Sequence, residues 1–188
     1  MRRRDDLIGP KLRSVLATLC LIVSPWASAV SIDDWLSETH EGRLYKTNMG
    51  ECVLENGQVI EACRLTFRTY GRLAPDLSNI VLMPTWLNGN AEGLSTYNYL
   101  GPDGIVDTDD YFVIAVNALG NGSSSSPSNS AQSPFPRFTI RDQVSLQHQL
   151  LTEHLDIEHL HAVVGASMGG YQTYELSLIH ISEPTRPS

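Results

Sequence analysis

Basic side chains are scarce in this sequence, cysteine is nearly absent, and no apolar run is long enough to span a bilayer. Thirteen Lys and Arg face 21 Asp and Glu, a formal net charge of −8. Five of those basic residues, Arg2, Arg3, Arg4, Lys11 and Arg13, lie at the extreme N-terminus. Without residues 1–29, which hold two acidic groups, the net charge becomes −11. Sequence-independent nucleic-acid binding needs a basic footprint to displace counterions from phosphates, so nucleic acid is excluded as a partner. The longest N-terminal apolar run, Val15 to Val23, is about half the ~20 residues of a spanning helix, so no stable membrane anchor is expected. His154, His159 and His161 match no common zinc spacing and read as solvated surface residues; Asp103, Asp107, Asp109 and Asp110 lack the calcium-loop pattern and read as a solvated turn. No metal and no cofactor is expected, and no internal repeat is present.

What is present begins with two unusual ends. Residues 1–29 read as a secretory signal: a basic start, the short apolar run, then Ala27-Ser28-Ala29 as the cleavage site. Export after cleavage near Ala29 follows, leaving Val30 as the first mature residue. The competing reading is an apolar first helix of the domain. At the other end, Leu176 to Arg186 (LSLIHISEPTR) resembles the translation of a transposase adapter used in sequencing libraries. Residues 176–188 are therefore expected to be a non-native tail, against the alternative of an apolar C-terminal strand. The working body is then residues 30–175, enough to bury a core but short for an α/β domain.

Within that body, Cys52 and Cys63 flank Asn56-Gly57, a strong hairpin signal in the segment 51–70. A four-residue loop would set the two cysteines directly opposite one another, and a two-residue loop would set them on a diagonal. In an exported protein a cross-strand disulfide is one expectation for the pair, and two buried free thiols are the other. Ile80 to Met83, Tyr111 to Val116 and Leu160 to Val164 read as buried strands. Thr85 to Gly93 reads as a polar loop. Asn117 to Phe138, rich in Gly, Ser and Pro, reads by composition as a flexible linker, or as a functional loop given its length. Ile140 to Leu155 carries apolar residues at helical spacing, and 168–175 begins another helix. Strands alternating with helices, with apolar runs for both faces, predict a mostly parallel sheet entered through an antiparallel hairpin.

The chemistry lies in Gly165-Ala166-Ser167-Met168-Gly169, which fits G-x-S-x-G between a predicted strand and a predicted helix. That tight reversal strains the central residue, and flanking glycines let strand and helix approach. Ser167 is the candidate nucleophile, with the Met168 N–H aimed at the oxyanion of a tetrahedral intermediate and the helix dipole beside the developing charge. A dinucleotide-binding turn is the rival, but glycines at 165, 169 and 170 do not make G-x-G-x-x-G. An inert packing turn is the other rival. A serine hydroxyl needs a His base and an acid to orient it, and in this fold both follow the serine. Only His180 follows Ser167, inside the adapter-like tail, and His148, His154, His159 and His161 precede it. Triad acid and base are accordingly absent from this chain, which is expected to be inactive as it stands.

Several separate blocks, in order, resemble one family. Asn79-Ile80-Val81-Leu82, Gly101-Pro102, Asp107 to Ile114 and Asn117-Ala118-Leu119-Gly120 come first. Ser126-Pro127-Ser128, Phe138 to Asp142, and Ala162 to Gly170 with Gln172 and Glu175 complete the set. Together they are similar to the homoserine O-acetyltransferase-like branch of the α/β-hydrolase fold. The resemblance implies an α/β fold cut off just after the nucleophile elbow, a Ser–Asp–His triad and a covalent acyl-Ser167. It also implies that Leu87, in Thr85-Trp86-Leu87-Asn88-Gly89, supplies the second oxyanion-hole N–H. The acetyltransferases carry a His-Ala-Leu-Thr-Gly-like string there, so Thr85 and Trp86 depart from the pattern. With export, which removes the protein from cytoplasmic acyl-CoA, that departure favours an ester or amide hydrolase acting on a small acyl substrate. The alternatives are an acyl-CoA-dependent homoserine O-acetyltransferase and a non-catalytic fragment or binding relative.

Overall fold

A computed structural model describes residues 32–179; the segment 1–29 expected to be a signal, with Cys20, and the residues from His180 onward lie outside the described residues. A short helix α1 (Ile32–Leu36) leads into a hairpin of two long strands, β1 (Thr39–Val53) and β2 (Val59–Arg72). The hairpin begins 12 residues earlier than its turn signal alone suggested, because alternation along β1 is imperfect and only one face is buried.

Its register differs from both sequence-based alternatives. Val53 pairs with Val59, so the loop has five residues, closed by the Leu54 N–H donating to the Gln58 carbonyl at 2.9 Å. Cys52 faces Ile60 and Cys63 faces Gly50. The offset comes from a bulge in which Gly50 (φ 74°) and Ala62 (φ 45°) both take left-handed backbone. The bulge brings the two cysteine Cα atoms to 5.7 Å, and their sulfurs are bonded.

Three further strands complete a five-stranded sheet in the order β1-β2-β6-β3-β7, where β7 is Ala162–Val163. Here β3 is Ile80–Pro84, and β6 (Phe112–Val116) lies parallel to it and antiparallel to β2. A small two-stranded ladder, β4 (Leu100–Gly101) with β5 (Val106–Asp107), sits between them in the chain, after helix α2 (Ala91–Thr96). Continuous apolar runs in β3 and β6 are explained by burial on both faces. Ile80, Leu82, Phe112, Ile114 and Val116 join the core under helix α3 (Ile140–Gln149). Val81, Met83, Val113 and Ala115 face the opposite cluster with Ala91 and Leu94 of α2.

Three boundaries depart from the sequence reading. The segment 85–93 is not loop throughout, because Asn90 caps α2 by accepting from the Gly93 N–H at 2.8 Å. α3 is regular only to Gln149; Leu150–His154 is a wider π turn that leaves Leu150, Leu151 and Leu155 all buried. The third strand is only β7 (Ala162–Val163), paired with β3 on one side and half-buried at the sheet edge. Helix α4 (Met168–Ser177) follows and runs past Glu175, with Leu176 buried.

Residues 117–139 contain no helix or strand, but they are fastened along the outer half of β2. Ser124 and Ser125 hydroxyls accept from the Thr66 and Arg64 N–H groups, and the Ser125 N–H donates to the Arg64 carbonyl. Further out, the Gln132 carboxamide accepts from the Glu61 N–H and donates to the Val59 carbonyl, both at 2.9 Å. The flexible-linker reading is thereby replaced by a side-chain-bonded strap. Its end is a capping box: Thr139 accepts from the Asp142 N–H while Asp142 accepts from that of Thr139, and also from the Glu55 N–H of the hairpin tip at 2.7 Å.

Candidate active site

Ser167 stands between β7 and α4 with φ 54° and ψ −123°. That backbone is costly for a residue with a Cβ, and here it is held by the turns around it. The Gly169 N–H donates to the Ala166 carbonyl at 2.9 Å, and the Gly170 and Tyr171 N–H groups donate to the Ser167 carbonyl at 2.9 and 3.2 Å. Sterics fix the neighbours. A Cβ on Gly165 would lie 2.2 Å from the Gly169 carbonyl oxygen, and one on Gly169 would lie 2.5 Å from that of Pro84. The turn therefore exists in this form because those two positions are glycine. Ser167 is exposed.

At the C-terminal end of the adjacent strand β3, the chain enters the loop 85–90. Thr85 is fully buried and anchored three ways. Its N–H donates to the Val116 carbonyl, its hydroxyl accepts from the Ala118 N–H, and its carbonyl accepts from the Gln172 carboxamide. Beyond it, Asn117 accepts from the Ala91 N–H at 2.8 Å, and Asn121 donates to the Gly89 carbonyl at 3.2 Å. Trp86 folds back over its own turn: its indole fills the space a Cβ on Gly89 would need, 2.2 Å away, and contacts the rings of Tyr97 and Tyr99. Leu87 is left 67 % exposed at the tip.

Two backbone donors are thus presented at one end of two neighbouring parallel strands. Among the described residues neither the Met168 nor the Leu87 N–H donates to any acceptor. A cavity of about 360 Å³ beside the loop is lined by Trp86, Asn88, Asn90, Glu92, Thr96 and Tyr97, among others.

The other titratable candidates lie elsewhere. The His161 N–H donates to the Ile80 carbonyl and its ring meets Tyr111 at 5.0 Å, at the start of β3 and β7 and so at the opposite end from Ser167. His159 precedes it in the same approach, and His148 and His154 sit on α3 and the π turn. Asp107 accepts from the Asp109 N–H, closing the acidic turn on itself. No group of three or more His, Cys, Asp or Glu among the described residues could hold a metal ion. No helix among the described residues is long and apolar enough to cross a membrane.

The sequence reading missed Asn117, Asn121 and Gln172 as loop anchors. Each lies in or beside a block that carries the family resemblance, but the bonds by which they anchor the loop span 26, 32 and 87 positions and leave no local pattern.

Comparison with known proteins agrees with this architecture. The model of the alpha/beta hydrolase fold family matches residues 78–186. An ethyl acetate hydrolase of Pseudomonas veronii is 40% identical over 148 residues, covering 77% of this chain and 42% of that protein. A homoserine O-acetyltransferase of Sulfurimonas autotrophica is 34% identical over 143 residues, covering 66% and 39%. The crystal structure of an acetylester hydrolase from Corynebacterium glutamicum superimposes with a TM-score of 0.68 at 40% identity, covering 73% of this chain and 41% of that one. The chain spans about two-fifths of the length of the curated relatives it matches.

Proposed function

Because the chain belongs to the α/β-hydrolase family, whose esterase and O-acetyltransferase members are its relatives, we propose that it carries the nucleophile half of a serine acyl-transfer site. Ser167 attacks a small acyl ester, and the Met168 and Leu87 N–H groups receive the oxyanion. The observation that carries this reading is the backbone of Ser167, at φ 54° between strand and helix, with glycines packed too tightly on both sides for any side chain. Strain of that kind persists where geometry serves chemistry.

Water is the acceptor we favour. Among relatives, an ethyl acetate hydrolase and a probable esterase are 40% and 42% identical over the aligned stretch, whereas two homoserine O-acetyltransferases are 34% and 37% identical. Trp86 further supports hydrolysis, since it occupies the loop where the acetyltransferase pattern places a smaller residue. Export is the companion proposal, resting on Arg2 to Arg4, the apolar run and Ala27-Ser28-Ala29. N-terminal sequencing of material from the periplasm or medium should begin at Val30; retention of Met1 in the cytoplasm would return homoserine acetylation to the front.

The acid and base of such a site follow the serine in this fold. The test therefore uses protein expressed from the source gene with all coding sequence that follows. A nitrophenyl acetate pulse, quenched with acid and analysed by peptide mass spectrometry, should place an acetyl group on the peptide containing Ser167. Hydrolysis that continues undiminished in Ser167→Ala would overturn the assignment. Acetyl transfer from acetyl-CoA to homoserine faster than to water would select the transferase alternative.

A further inference from the structure

A buried amide relay joins the two halves of the proposed oxyanion site. Gln172, in the second turn of α4, has no exposed surface. Its Nε2 donates to two main-chain carbonyls, that of Thr85 at 3.1 Å and that of Met168 at 3.3 Å. The first opens the loop that carries Leu87, and the second belongs to the other donor residue. One side chain therefore ties the residue that presents one oxyanion donor to the root of the loop that presents the other.

Gln172 is itself aimed. Gln147 of α3, 1 % exposed, donates its Nε2 to the Gln172 Oε1 at 2.6 Å. With its oxygen occupied in this way, the Gln172 carboxamide must turn its NH₂ toward the two carbonyls. A buried polar group left unpaired costs about 1–3 kcal/mol, so a pair of glutamines in this core is not a neutral filling. Trp86 locks the same loop from the solvent side by covering Gly89, so the relay and the indole hold the loop between them.

We propose that Gln172, oriented by Gln147, is a positioning residue that sets the separation of the Leu87 and Met168 N–H groups; its catalytic meaning rests on the acyl-serine reading, but the mechanical coupling does not. Deleting the Gln172 donors frees the Thr85 carbonyl and lets the 85–90 loop move relative to α4. Deleting the Gln147 donor lets the Gln172 amide turn over, with the same consequence in weaker form.

The test uses the protein labelled with 5-fluorotryptophan, whose Trp35 and Trp86 fluorine signals are assigned with Trp35→Phe and Trp86→Phe. Gln172→Met keeps the volume and removes the donors; Gln147→Met acts one step away and remains informative if the first variant folds poorly. We expect the Trp86 signal to shift or broaden in both variants while the Trp35 signal stays in place. A Trp86 signal unchanged in either folded variant overturns the proposal, as does an equal disturbance of Trp35, which would indicate general loosening. In protein that turns over nitrophenyl acetate, Gln172→Met should lower kcat about tenfold with KM within about twofold, the mark of a contact that matters in the transition state. A KM change with kcat intact overturns it. Ser167→Ala in the same assay separates the two claims, because it ends turnover without altering the effect of Gln172→Met on Trp86.

Discussion

Gly169 lies directly beneath Pro84: a Cβ added to the glycine would fall 2.5 Å from the proline carbonyl oxygen. The last residue of β3 and the first turn of α4 are therefore in backbone contact, and the same is true of Gly165 and Gly169. Replacement of either glycine by alanine meets main-chain atoms that cannot rotate away. We expect Gly165→Ala and Gly169→Ala to lower unfolding free energy by about 1–3 kcal/mol or more in urea titrations. Gly170→Ala is the control, with its nearest contact at an ordinary 3.4 Å. Placed within the helix, it should be neutral or stabilising by about 0.5–1 kcal/mol.

Ser167 holds a left-handed backbone that glycine adopts freely. Ser167→Gly should raise stability by about 1 kcal/mol, measured by denaturation, and on the proposed acyl-serine reading it should also abolish nitrophenyl acetate hydrolysis by protein expressed from the source gene. A destabilised Ser167→Gly protein would mean that the side chain, and not the turn, secures the elbow.

The Cys52–Cys63 bridge closes a loop of sequence separation 11. Constraint of the unfolded chain by a loop of that size is worth about 2–3 kcal/mol. Titrations with and without reductant should differ by that amount, and the double variant Cys52→Ala/Cys63→Ala should be indifferent to reductant.

His40 is buried, with its Nδ1 2.6 Å from the Thr69 hydroxyl and its ring edge-on to Phe112 and Trp35. Burial is the chief cause of its lowered pKa; Arg43 acts in the same direction, and Glu38 opposes both. The unfolded chain therefore binds a proton on this imidazole at a higher pH than the folded one. Stability is fully present above about pH 6.5 and declines as pH falls from there toward the folded pKa. His40→Gln should flatten that portion of the stability–pH curve, and an unchanged slope would assign the acid limb to carboxylates.

Much of the architecture could be read from residue order. Ile80 to Met83 and Tyr111 to Val116 were recognisable as strands because burial on both faces removes any alternation, and apolar residues at helical spacing marked the helix that begins at Ile140. The elbow was legible because G-x-S-x-G is a short fixed spacing between a strand and a helix, although only the Gly165 contact with Gly169 is local and Gly169 itself is fixed by Pro84, far back in the chain. What escaped was set at a distance. The hairpin register depends on a bulge at Ala62, a residue with no intrinsic leaning toward left-handed backbone. Helix α2 depends on an Asn90 cap that, in sequence, is one polar residue among several. The loop anchors Asn117 and Gln172 act on residues 26 and 87 positions away, and no periodicity records such bonds.

The strap of residues 117–139 has a consequence for how the hairpin survives in a crowded solution. The outer half of β2 extends past β6, and its open N–H and C=O groups would ordinarily recruit a strand from another molecule. Serine hydroxyls, a glutamine carboxamide and the Ser125 and Asn117 N–H groups occupy them instead. Side chains of this kind satisfy the edge without offering a further edge beyond themselves, so sheet growth ends there. A segment that looks compositionally permissive is in this way a terminator, and Ser124 and Ser125 are buried where they make it one.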